Sequence, residues 1–253
     1  ASYSATGSQS SITGGGTLKI AGTGATVTKP SNVFNIIGGT TVDVGTSGLL
    51  TTSSQIVIGN NSGSASVLVN GGTASSTSGT ANHNLILANA SGTNTISGTL
   101  TINSGTVTHP AISGGLRFGS TTAMTAPNTA TGTLNLNGGQ FTVARLYEGG
   151  ADPQIISNVN FNGGKLIVRA GATNAANYMT GLDAANVLSG GAVIDTNGVD
   201  TTIAQALLDG GGGGGLTKEG NGILTLTGAN TYTGDTVING GKLNLNADRK
   251  SVV

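Results

Sequence analysis

A glycine pair followed by alternating apolar and polar residues returns along the whole chain, and this return limits the possible folds more than any single residue does. The phrase begins at Gly15 (GGTLKI), Gly38 (GGTTVDV), Gly114 (GGLRFG), Gly138 (GGQFTV), Gly163 (GGKLIV), Gly190 (GGAVID), Gly214 (GGLTKE) and Gly240 (GGKLNL). The last six starts are 24, 25, 27, 24 and 26 residues apart. Between Gly38 and Gly114 the phrase weakens to Asn70-Gly71-Gly72 and Asn103-Ser104-Gly105 and the spacing stretches to 33. The coil register therefore stays open over 45–113, as it does in the glycine run at 210–215.

Each period holds two or three short runs that alternate in polarity, such as Thr133 to Asn137 and Gln140 to Val143, with Asn-Gly-Gly between them. Alternation over three to five residues sends one set of side chains inward and the other outward, as a half-buried strand requires. Helical periodicity is nearly absent; the stretches rich enough in Ala and Leu to be helical are Ala175 to Leu188 and Thr202 to Leu208. Sandwich strands recur without a super-period of this length, whereas a parallel β-helix makes one coil every 20 to 30 residues or so. The chain is expected to be an all-β parallel β-helix, a single solenoid over 1–253 with about ten coils of roughly 24–27 residues. Rising about 4.8 Å per coil, it would be a rod on the order of 50 Å long. Leu134, Leu166, Val193 and Leu243 are expected to build interior ladders, and Asn137, Asn162 and Asn239 to sit in turns and bond to their neighbours above and below.

Composition agrees with this reading and removes others. Charged residues are 8% of the 253, where about 25% is usual. Ten basic residues balance ten acidic ones and never cluster, which argues against binding nucleic acid or an anionic membrane. Forty-five glycines without a Gly-X-Y period exclude collagen, and recurrent Val, Ile and Leu speak against disorder. With no Cys, neither a disulfide nor a thiolate metal site can hold the fold. Aromatics are 3% with no Trp, so the core must be built from aliphatic side chains. No run of 18 apolar residues and no signal sequence is present. Without an initiator Met, the chain reads as a piece of a larger secreted protein.

The most specific segment is LTKEGNGILTLTGANTYTGDTVINGGKLNLN, from Leu216. It resembles the passenger-associated transport repeat, also called the autotransporter-associated β-strand repeat. The resemblance rests on Leu216, Thr217, Lys218, Gly220, Gly222, Leu224, Leu226, Gly228, Asn230, Thr231, Tyr232, Gly234, Thr236, Ile238, Gly241 and Leu243. The best-defined copy covers 216–246, and upstream coils keep the Asn-Gly-Gly core of it. The resemblance implies a right-handed β-helix, a secreted or bacterial cell-surface location, and no catalytic residue; the C-terminal barrel of an intact autotransporter is not in the sequence. By its own chemistry, Asn230 to Gly234 is a turn cluster between two strands, Ile223 to Thr227 and Thr236 to Asn239. Tyr232 is expected to pack over a coil edge with its hydroxyl at the surface.

Candidate sites weigh against a chemistry. Asp183, Asp195 and Asp200 come closest in sequence to a carboxylate cluster, but Asp195 and Asp200 flank the Asn197-Gly198 turn, and Glu148 and Asp152 bracket Gly149-Gly150 as loop residues. His83 and His109 have no metal or triad spacing and are expected to face solvent. Neither a calcium nonapeptide nor a phosphate loop is present. Thr99-Leu100-Thr101, Thr106-Val107-Thr108 and Thr225-Leu226-Thr227 could form a flat hydroxyl array, although they keep no common register. Asn60-Asn61-Ser62 and Asn89-Ala90-Ser91 are formal glycosylation sequons. No catalytic, cofactor or metal residue is assigned. The expectation is a non-enzymatic structural or adhesive module with recognition loops at 144–158 and 169–188. Its terminal coils, near Ser11 to Ile20 and Lys242 to Leu245, are expected either to associate end to end or to be covered by a flanking cap in the parent. The alternative is a carbohydrate-binding or polysaccharide-degrading β-helix that uses surface carboxylates. A surface glycan or a host matrix component is the class of partner expected.

Overall fold

The computed structural model describes residues 2–4, 9–29, 33–61, 63–76, 85–90 and 93–245. The chain winds as a three-sided parallel β-solenoid. In one turn it passes through a first face (Ala130–Leu136), a second (Gln140–Val143) and a third (Leu146–Glu148), then returns to the first at Ile155–Phe161 one layer higher. Every named strand pairing is parallel and joins equivalent strands of successive coils. The second face runs through ten strands, from Ser2–Ser4 to Thr236–Ile238, and the third through ten, from Gln9–Ile12 to Lys242–Leu245. The ten expected coils are therefore present.

The open register closes once the corners are traced. Ala65–Ser76 and Ile96–Thr108 are single long strands that bend from the first face onto the second, with register shifts between Ile102 and Thr106. In later coils the same corner is the turn at 137–139. Coil steps at this corner are 33 and 34 residues in the middle of the chain and 25 on the neighbouring first-face column, so no single period fits all ten. The glycine run at 210–215 is a loop between Leu207–Asp209 and Leu216–Glu219.

Alternation places the core. On the first face Val67, Leu100, Leu134, Val159, Ala185 and Leu207 pair in succession; on the second, Leu50, Ala74, Val107, Phe141, Leu166 and Ile194 do so. All are buried in one continuous cluster. Leu134 and Leu166 are interior as expected, on different ladders. Val193 is not: Leu166 pairs with Ile194, so Val193 points outward, because the strand begins at Ala192, two residues beyond Gly190. Leu243 pairs with Leu224 on the third face and is only partly buried in the last described coil.

The helical expectation fails at both places. Ala175–Asn177 is one turn of 3-10 helix, and the rest of the stretch holds Met179–Thr180 and Ala184–Val187; Thr201–Ile203 and Leu207–Asp209 are strands. Pairing with the coils on either side outweighs the helix propensity of Ala and Leu. Loops 144–158 and 169–188 are correspondingly shorter than expected, since strands of the third and first faces cross both.

Candidate functional site

Carboxylates meet across a corner rather than along the chain. On the third face Phe118 pairs with Glu148, and on the first face Gly132 pairs with Ser157. Where the lower coil packs the Phe118 ring against Gly132, whose added Cβ would lie 2.7 Å from that ring, the upper coil sets Glu148 against Ser157. Ser157 Oγ lies 2.6 Å from Glu148 Oε1 and 3.1 Å from Asp183 Oδ2, and it accepts the Asp183 N–H at 3.0 Å. One hydroxyl proton faces two carboxylates. Burial, together with the negative Asp183 and Asp152 nearby, holds the Glu148 carboxyl above the usual carboxylate range. Asp152 accepts the Met124 N–H at 2.6 Å and the Gln154 N–H at 3.0 Å, and these bonds hold its carboxyl below the usual range. Glu148, Asp152 and Asp183 line one shallow open hollow.

Asp195 and Asp200 are elsewhere. Asp195 accepts the Asn197 N–H at 2.7 Å beside the Lys165–Glu219 ion pair, and Asp200 accepts the Ile223 N–H at 2.9 Å. Sequence proximity thus grouped Asp183 with the wrong partners; the right one, Glu148, becomes visible only when the coil step is known. Among the described residues no group of three His, Asp or Glu could hold a metal ion. His109 is buried at 2% exposure on the corner after Thr108, contrary to expectation, because its parity in the strand is inward. His83 lies outside the described residues, as do the serines of both sequons, Ser62 and Ser91.

Outward positions form hydrogen-bonding columns built mostly of amides and hydroxyls. Asn103 donates to Asn70 Oδ1 at 2.8 Å, Asn137 to Asn103 Oδ1 at 2.9 Å, and Asn70 to Asp43 Oδ1 at 2.7 Å. A second column runs from Thr101 through Asn135 and Asn160 to Asn186. Asn137 thus bonds to its coil neighbour as expected, whereas Asn162 accepts the Gly190 N–H and Asn239 donates its own N–H to the Lys218 carbonyl. Thr99-Thr101, Thr106-Thr108 and Thr225 lie on three different faces. Thr106 and Thr108 nevertheless continue second-face columns with Thr73 and Ser75, Leu49 and Thr51, and Thr26 and Thr28. The long middle steps hide this register in the sequence.

On the outside of the third face two arginines meet one tyrosine. Arg117 pairs with Tyr147 one coil above. The Arg145 guanidinium lies 3.8 Å from the centre of the Tyr147 ring. Nothing in the sequence pattern flagged these three residues, because Arg117 and Arg145 are 28 positions apart and isolated within their own runs.

The Asn230–Gly234 cluster takes the place of a first-face strand. Asn230 Oδ1 accepts the Leu207 N–H at 2.9 Å, Thr231 Oγ1 accepts the Asp209 N–H at 3.1 Å, and the Thr231 N–H donates to the Leu207 carbonyl. Among the described residues the last first-face strand is Leu207–Asp209, and the second and third faces each hold a strand after the cluster, Thr236–Ile238 and Lys242–Leu245. Tyr232 is fully buried and its hydroxyl lies 2.8 Å from Thr236 Oγ1. Its role is structural, as expected, but its hydroxyl is enclosed rather than at the surface.

Comparisons with known proteins fall on these features. The passenger-associated transport repeat matches residues 84–108 and 216–245. The first match covers a third-face strand and the long bent strand Ile96–Thr108; the second covers the four strands around the Asn230–Gly234 cluster. The chain is similar to the adhesin BmaC autotransporter of Brucella suis biovar 1 (strain 1330), with 34% identity over 142 residues. That stretch is 54% of this chain and 4% of the relative's length, so the chain spans a small part of the curated relative it matches. No solved structure matches the chain.

Proposed function

We propose that the chain is a non-enzymatic adhesive segment of an exported, bacterial cell-surface or secreted passenger. The observation that carries this reading is a rigid three-faced solenoid whose outward positions form long columns of Thr, Ser and Asn, joined to two matches to a transport repeat of passengers. Coil-to-coil backbone pairing gives stiffness, and a surface of neutral hydrogen-bonding groups offers repeated contacts without indiscriminate charge attraction. Similarity to a part of an autotransporter adhesin supports the same reading. Among the described residues no helix is long and apolar enough to cross a membrane. Among the described residues Gly16–Ile20 and Lys242–Leu245 each pair on one side, which supports end-to-end association of coils as a further property.

Beads coated with the purified chain should adhere saturably to a panel of cell surfaces and matrix or glycan coatings, and soluble chain should compete. Absence of adhesion to every surface would sink the reading. Release of reducing ends from a polysaccharide, abolished by Glu148→Gln or Asp183→Asn, would replace it with the enzyme alternative. For self-association, light scattering should give a mass that grows with concentration; a constant monomer mass would remove that property and leave adhesion standing.

A further inference from the structure

Arg117, Tyr147 and Arg145 form a built positive site. The preceding coil carries Gly115 beneath Arg145, where an added Cβ would lie 2.8 Å from Arg145 Cγ and 2.3 Å from its carbonyl oxygen. The missing side chain therefore leaves the space in which the Arg145 stem lies. Alternation along Leu146–Glu148 turns Tyr147 outward and Glu148 to the opposite side, where its carboxylate faces Ser157. Tyr147 offers its ring to the Arg145 guanidinium at 3.8 Å, a stacking distance that orients the planar fork. One coil below, Arg117 is fixed by two bonds, from Nη2 to Asn89 Oδ1 at 2.9 Å and from Nε to the Gly119 carbonyl at 3.2 Å.

Both guanidiniums bear on one tyrosine, and neither is neutralised. Among the described residues no carboxylate lies within ion-pair distance of Arg117 or Arg145. Arg145 Nε is buried without an acceptor. Half-buried guanidiniums normally take carboxylate partners, because a partly desolvated charge without one is costly. Arg117 is desolvated enough for burial to pull its pKa down, while the nearby Tyr147 pushes it back up; an Arg remains charged all the same. Two forks held in place and left without an anion fit a ligand that brings one.

We propose that Arg117, Arg145 and Tyr147 form a recognition site for a carboxylate-bearing sugar, a uronate or sialate unit of an acidic glycan. An Arg fork matches the two oxygens of a carboxylate, and two forks on adjacent coils can hold one such group between them. A glycan suits the surroundings better than a polyanion bound by charge alone. Neutral groups flank the site, with Asn89 below and Thr180, the partner of Tyr147, above, and these serve sugar hydroxyls. The assignment rests on the adhesive reading and supplies its ligand class.

The test is calorimetric titration of the whole chain with trigalacturonate, with neutral galactotriose and with a sulfated oligosaccharide of the same length. Trigalacturonate should bind saturably and more weakly as salt rises, and the other two should bind at least tenfold more weakly. Arg117→Gln and Arg145→Gln should each lower affinity at least tenfold, while Lys242→Gln, which removes a charge from the last described coil of the same face, should leave it unchanged. Arg145→Lys keeps the charge and loses the fork, so it should also lose at least tenfold; it serves if Arg145→Gln lowers the melting midpoint. Equal binding of the neutral or sulfated sugar, an equal effect of Lys242→Gln, or full affinity in both Arg variants would overturn the assignment. Bead adhesion that persists in those variants would overturn this site alone, whereas trigalacturonate binding without adhesion to any surface would overturn only the adhesive reading.

Discussion

Two buried polar residues and one half-buried carboxylate illustrate what the solenoid tolerates. Lys218 stands in the interior ladder between Ile194 and Ile238, fully buried, where its upstream neighbours are apolar. Its ammonium group donates to the carbonyls of Glu219, Gly220 and Gly240 at 2.7, 2.8 and 3.0 Å, so it ties two successive coils together at a corner. Lys218→Ala removes the donor that three carbonyls share, of which Glu219 keeps its bonds from Thr196, and leaves a cavity behind; it should cost about 2–4 kcal/mol in chemical denaturation. Tyr178 is the opposite case: its hydroxyl is buried without a partner, and burial raises its pKa. Tyr178→Phe removes the unmet group and should stabilise by about 1 kcal/mol, read in the same experiment; a loss of stability would mean that the hydroxyl has a partner. Glu148 links stability to pH. Its folded pKa is raised, so protonation favours the folded state; that contribution is complete below the unfolded value and fades as pH rises through the folded one. Glu148→Gln should therefore raise the melting midpoint at pH 7 and leave it nearly unchanged at pH 3.

At the scale of strands, amide columns lock register where the hydrophobic pattern alone leaves slack. Asn160 donates to Asn135 and accepts from Asn186, so its removal breaks two bonds in one column. Asn158, two residues earlier on the same strand and equally outward, makes no such bond. Asn160→Ala should cost about 1–2 kcal/mol and Asn158→Ala less than about 0.5, measured by thermal denaturation. Equal costs would show that the column adds nothing beyond an ordinary outward side chain. Strands were largely legible in the sequence: Gln140–Val143 and Ile223–Leu226 were read within a residue, because alternation and Asn-Gly-Gly turns are local signals. Ala184–Val187 was not, since its Ala-rich composition favours a helix in isolation and only the neighbouring coils make it a strand. The Glu148–Ser157–Asp183 contact and the Arg117–Tyr147–Arg145 site were equally hidden, because each joins residues whose proximity depends on coil steps and corners.

Over the whole molecule the parallel stack makes stability a matter of neighbours. Each inner coil is paired on two sides, whereas among the described residues the strands Gly16–Ile20 and Lys242–Leu245 pair on one. Amide hydrogen exchange should be slowest in Ala130–Leu136 and Ile155–Phe161 and fastest in those two edge strands; uniform protection would mean that the stack opens only as a unit. The Asn230–Tyr232 segment changes the cross-section, because it satisfies the edge of Leu207–Asp209 with side chains and loop backbone instead of another strand. In one of its two matches the transport repeat therefore places a turn cluster where a first-face strand would lie, while the other two faces keep their strands in that coil.

By itself the sequence determined the architecture: a recurring glycine turn and period-two alternation admit little except a coiled parallel sheet, and low charge follows from stacking like residues within about 5 Å. Only the tertiary structure decided which residues meet. A solenoid brings together positions one coil apart, and coils of unequal length make that distance irregular, from 22 residues across the Lys218 corner to 34 at Asn137. A shift of one residue in that count turns an inward side chain outward, as at Val193, and the columns, the buried lysine and the paired arginines all depend on it.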